Sequence, residues 1–217
     1  MDSLNESRTG NWVASLRVFL GVRSAAAERC ELCGAEIGHE HAHLIEPTTR
    51  RLLCACQPCA ILFASSEAKR YRRVPRDARR LTGFNLGDAQ WDAFQIPINM
   101  AFFFRSSAEG RVLCMYPGPA GATESTLDLT AWDDLVAANP VLQTLQDDVE
   151  ALLVYRVQGA REHYRVPIDS CYELVGQIRT HWHGLSGGEG VREAIRGYFA
   201  GLRERATAGS PGVAAHA

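Results

Sequence analysis

"RLLCACQPCAILF", residues 51–63, places Cys54, Cys56 and Cys59 within six positions and runs on into an apolar stretch. Upstream, "ERCELCGAEIGHEHAHLIEP" (28–47) supplies Cys30 and Cys33, then His39, His41 and His43. Together they spell C-x2-C-x22-C-x2-C. Each C-x2-C turn can aim two sulfurs at one point, and two such turns complete a tetrahedral ion with metal–sulfur bonds of about 2.3 Å. Gly34 after the first pair suits a tight knuckle. The second pair opens a helix, with Pro58 in a first turn where its missing N–H costs little. The positive end of that helix favours thiolate at Cys56 and Cys59. Knuckle, hairpin, then a helix carrying the second pair predict a treble-clef zinc module over residues 28–68, with Zn2+ on Cys30, Cys33, Cys56 and Cys59. A rubredoxin-like iron electron carrier is the alternative. Its two knuckles are each normally followed by Gly, and Ala60 stands at the second one here.

Cys54 is either a substitute ligand or a small buried apolar side chain. His39, His41 and His43 alternate, so on a strand all three share one face, which can bind nickel, copper or zinc. The plain alternative is an exposed hairpin edge. These four residues are candidate additional ligands. The segment also resembles the HNH endonuclease pattern, with His43 in the general-base slot. The helix "CAILFASSEA" lacks the Asn and His that hold the catalytic cation in that family, so no phosphodiester chemistry is implied.

The chain of 217 residues is 46% apolar with a net charge of −2, enough for a core and without bulk attraction to nucleic acid or membrane. Residues 1–27 read as an amphipathic helix, with Trp12, Leu16, Phe19 and Leu20 on one side, and a small-residue linker. They lack a clean signal-peptide core, and no apolar run reaches membrane-spanning length. A cytoplasmic location and metal-binding rather than disulfide-bonded cysteines are expected.

Residues 69–80, "KRYRRVPRDARR", form a basic connector. Arg70, Arg72 and Arg73 are its candidate partner-binding residues, either for an acidic protein surface or, in a third reading, for nucleic-acid phosphates. Residues 81–205 read as a mixed α/β domain with antiparallel hairpins and C-terminal helices, and 206–217 as a disordered tail. "FQIPINMAFFFRS" and "GRVLCMYPG" predict one hairpin, "VEALLVYRV" and "HYRVPI" another. "AWDDLVAANPVLQTL" predicts a helix capped by Thr130 and interrupted at Pro140. "SCYELVGQIRTHW" predicts a helix in which Ser170 and Glu173 have capping-box spacing. Cys171 in its first turn is read as structural rather than reactive. Asp133, Asp134, Asp147 and Asp148 are paired in sequence only. A final amphipathic helix carries Val191, Ile195, Phe199 and Leu202 on one face. The fold class is α+β.

"IPINMAFFFRSS", "YPGPAGATES", "DDVEALLVYR", "VPIDSCYELVGQIRTHWHGLSGG" and "YFAGLRERA", with the "CELCG…CACQPC" finger, resemble an uncharacterised bacterial family typically encoded beside oxygen-tolerant [NiFe] hydrogenase genes. The resemblance implies an accessory role in assembly, maturation or electron transfer, with hydrogenase subunits or maturation factors as partners. No nucleophile–base pair, cofactor loop or open metal site is readable in the chain. The expectation is therefore a non-enzymatic zinc protein.

Overall fold

The computed structural model describes residues 28–64, 70–125, 130–184 and 187–209. The amphipathic helix expected within 1–27 lies outside them. Three strands, β1 (Ala42–Glu46), β2 (Arg51–Ala55) and β3 (Arg72–Arg73), form a small sheet in the order β2-β1-β3. Helix α1 (Gln57–Ala64) follows β2. The main sheet has seven strands: β4 (Arg79–Leu81), β5 (Met100–Ser106), β6 (Arg111–Gly118), β7 (Gly121–Glu124), β8 (Glu150–Tyr155), β9 (Glu162–Pro167) and β10 (Thr207–Gly209). Their order is β10-β4-β9-β8-β5-β6-β7, and only the β10–β4 pair is parallel.

The central strands of the main sheet are buried on both faces, which explains their near-continuous apolar runs. In β5 every residue except Arg105 is buried, and β8 is buried throughout. Alternation then divides them. Phe102, Phe104, Leu153 and Val166 pack against α4 (Ile168–His181) and α5 (Gly188–Arg205), through Leu174, Ile178, Phe199 and Leu202. Ala101, Phe103, Leu152 and Val154 face Trp91 and Phe94, at α2 (Asp88–Ala93), and Trp132 and Leu135 of α3 (Thr130–Ala138). Helices, sheet and helices thus make three layers of an α+β fold. Each fully buried Phe or Leu contributes roughly 1.5–3 kcal/mol by leaving water.

Both expected hairpins form, as β5–β6 and β8–β9. Pro140 ends α3, and the chain continues as a 3-10 turn, Pro140–Thr144. On the final helix Val191, Phe199 and Leu202 are buried and Ile195 is partly so. The capping box at Ser170 does not form. Helix α4 starts two residues earlier, after Pro167, because β9 leads directly into it, and Asp169 rather than Ser170 offers its side chain to a free N–H.

Two boundaries move. The basic segment is no connector: Arg72–Arg73 pairs with β1, and Arg79–Arg80 pairs with β9. The main domain also extends past 205, since Thr207–Gly209 pairs with β4 and covers that edge of the sheet. The rest of the expected tail, 210–217, lies outside the described residues.

The finger and the main domain share a core. Ile45 and Val74 are buried in the same cluster as Phe104 and Val149, with Leu52 packed against it. Arg72 seals this seam. Its Nε lies 3.2 Å from Oδ2 of Asp148, whose side chain is only 3% exposed, and its Nη1 donates to the Asp147 carbonyl at 3.1 Å. Asp148 sits at φ 65 in a turn and also accepts from the Ser107 N–H and hydroxyl. Arg70 instead pairs with Glu46 at the surface, and Arg73 donates to Gln57. So the residue pair 147 and 148 is not helical, and Arg72 is committed within the chain.

Removing Arg72 leaves a buried carboxylate without its cation. Because Arg72 is itself 39% exposed, the loss is smaller than for a fully buried pair. Arg72→Ala should lower stability by about 1–2 kcal/mol in urea unfolding, while Arg70→Ala should leave the midpoint nearly unchanged.

Candidate metal centre

The knuckle is built by its own backbone. Gly34 N–H donates to the Cys30 carbonyl at 2.8 Å, Cys30 N–H donates to the Ala35 carbonyl at 2.8 Å, and Gly34 takes φ 76, which a side chain would strain. Glu31 clips the knuckle to β2. Its N–H donates to the Cys54 carbonyl and its carboxylate accepts from the Cys54 N–H, both at 2.9 Å, while Arg51 holds the other oxygen at 2.6 Å. The second pair enters a helix as expected: Cys56 immediately precedes α1 and accepts the first helical hydrogen bond, from Ala60, and Cys59 lies one turn in.

These elements bring the sulfurs of Cys30, Cys33, Cys56 and Cys59 within 4.8 Å of one another. Sγ of Cys33 and Sγ of Cys56 are 3.7 Å apart, far beyond a disulfide bond and close to the edge of a tetrahedron with metal–sulfur bonds of about 2.3 Å. Cys30 and Cys59 are buried, whereas Cys33 is exposed. Four thiolates around one ion close its coordination sphere.

The sulfurs do not ionise alike without a cation. Burial opposes the Cys30 thiolate, but the N–H groups of Cys56, Leu32 and Cys33 outweigh it and bring the thiol down to about 6. The Ala35 N–H favours the Cys33 thiolate, yet the neighbouring thiols leave Cys33 above its usual range. Cys59, expected to favour thiolate at the helix start, is instead pushed up to about 12 by burial and then by the Cys56, Cys33 and Cys30 sulfurs. A cation must therefore expel protons to gather all four thiolates.

A second group lies on the other face of the hairpin. His43 is the register partner of Cys54, and His41, His43 and Cys54 bring their ligand atoms within 4.8 Å. His39 is exposed, ahead of β1 and outside this group, so the three histidines do not form one strand face. Asp169, which the sequence reading missed, lies 2.6 Å from Nδ1 of His43 through its Oδ2. It is 126 residues away, so no local pattern could have signalled it.

Cys114 and Cys171 are buried in the main domain. Burial pushes the Cys114 thiol up to about 12 and the Cys171 thiol well above its usual range, so neither is an activated nucleophile. Among the described residues, no helix is long and apolar enough to cross a membrane.

A family described as "Family of unknown function (DUF5947)" matches residues 29–206. The chain belongs to this family. The match takes in the finger and nearly all of the main sheet, so the two are one family unit. No curated protein and no solved structure matches the chain.

Zinc uptake by the metal-free chain at pH 7 should release at least two protons, those of Cys33 and Cys59. Affinity should fall as the pH drops toward 6, because protons compete at Cys33 and Cys59 throughout and at Cys30 as well near its value of about 6. Calorimetry in buffers of different ionisation enthalpy measures the proton count; uptake without proton release would mean that the thiols are not the ligands.

Proposed function

We propose that the chain is a non-enzymatic accessory protein whose four cysteines hold a structural zinc and fix the shape of a docking module. The carrying observation is the closed donor set: four sulfurs within 4.8 Å leave a tetrahedral ion no position for water or substrate. Zinc is favoured over iron by the asymmetry of the two pairs, one on a knuckle and one at a helix start. The main domain supports a non-enzymatic reading through its doubly covered sheet and its buried thiols.

The client suggested by the sequence resemblance is a [NiFe] hydrogenase, its subunits or its maturation factors, in the cytoplasm. Arg70 and Arg73 lie at the surface of the finger and suit an acidic protein partner. Arg72 no longer belongs with them, and its commitment to Asp148 weakens the nucleic-acid reading.

Protein purified without added metal should carry zinc on the thiolates, and Cys56→Ser should lose that ion. A red, iron-loaded protein would establish the rubredoxin-like carrier instead. Deleting the gene should lower hydrogenase activity or assembly while growth that does not use hydrogen continues. A deletion strain with fully active hydrogenase would remove that client.

A further inference from the structure

The hairpin carries a second donor set that the thiolate site does not use. The rings of His41 and His43 meet edge to face with centroids 4.8 Å apart, and their Nε2 atoms are 3.1 Å from each other. The opposite nitrogen of each ring is already held by oxygen. Nδ1 of His43 faces Asp169 Oδ2 at 2.6 Å, and Nδ1 of His41 faces the Gly38 carbonyl at 2.9 Å and Glu28 Oε2 at 3.2 Å. A neutral imidazole has one N–H. If each Nδ1 donates to its oxygen, both Nε2 atoms present lone pairs to each other, and two facing lone pairs repel.

A shared cation removes that conflict. Two nitrogens bound to one ion at about 2.0–2.1 Å lie roughly 3–3.5 Å apart, which brackets the observed separation. Oxygen on the far nitrogen is what ligating histidines generally have, because it fixes the tautomer and the ring plane. Cys54 adds a third donor from the strand position directly opposite His43.

The geometry points to a second metal site, in which His41 Nε2, His43 Nε2 and Cys54 Sγ hold a divalent transition ion of the zinc, cobalt or nickel type. Two imidazoles and one thiolate form a borderline-soft donor set that suits these ions and not magnesium or calcium. Three protein donors leave the fourth tetrahedral position open, in contrast to the closed thiolate site. The site is reachable from solvent on one side: the side chain of His43 is 32% exposed and Cys54 is half-buried, while the side chain of His41 is only 8% exposed. Its ion can therefore exchange or accept an outside ligand. Asp169 is a positioning residue. It belongs to the first turn of α4 and reaches the ion only through His43.

The test is metal stoichiometry on the tag-free full chain, equilibrated with zinc and freed of excess ion. Wild type should retain two ions. His43→Ala and Cys54→Ser should each retain one, and Asp169→Asn should bind the second ion at least tenfold more weakly. Cobalt substitution separates the sites. The four-thiolate charge-transfer bands should persist in Cys54→Ser, which also shows that the finger is folded, while the wild-type-minus-variant difference shows one thiolate and two imidazoles. Two results overturn the proposal: uptake of one ion by wild type, or equal uptake by wild type and Cys54→Ser. Either leaves a His41–His43 contact held by a shared proton. Loss of the four-thiolate bands from wild type would instead strike the structural-zinc reading and leave the second site to be judged by the difference spectrum.

Discussion

The β1–β2 hairpin, five residues to a strand, is too short to stay paired in water by itself, and both of its faces are covered. The pleat sorts its residues. Ala42, Leu44 and Ala55 turn toward Cys30, Cys59 and Ala60, where the thiolate centre and α1 close over them. Ile45 turns the other way into the main core, with Leu52 beside it. His43 and Cys54 share that second face. The hairpin is thus the common wall of two compartments, and a shift of one residue in its register would exchange them.

The seam beside this wall joins charge to packing. Asp148 is buried where the finger meets the main sheet, and it is tolerated because Arg72, the Ser107 N–H and the Ser107 hydroxyl all converge on it. The arginine comes from the finger's third strand, and the acceptor comes from the turn before β8. The finger is therefore an integral part of the fold rather than an appended module, in keeping with a family match that spans both parts.

Much of this was legible because it depends on local pattern. Two C-x2-C pairs can hardly be placed without converging, and "MAFFFRS" and "EALLVY" are too apolar and β-branched or aromatic for anything but covered strands. What was not legible depends on contacts far apart in sequence. Arg72 reads as one more charge in a basic run until Asp148 is placed beside it. Asp148 reads as half of an acidic pair until its turn is known. The H-x-H-x-H spacing suggests a three-histidine face, but the chain bends at residues 39–40 before it reaches β1, so His39 falls away while His41 stays beside His43 and the cross-strand Cys54 joins them. Ser170 has the right spacing for a cap, yet β9 runs directly into α4 and leaves no room for a capping turn.

The strand at Arg79–Leu81 has consequences for the order in which the molecule is assembled. Its two neighbours, β9 and β10, are made much later in the chain, and it has no sequence-local partner. Contacts of that kind form slowly, because a long loop must close before any pairing rewards it. The β5–β6 and β8–β9 hairpins, the knuckle and α1 all rest on near neighbours and need no such wait. The arrival of the last strand therefore closes one edge of a sheet whose hairpins can already be in place.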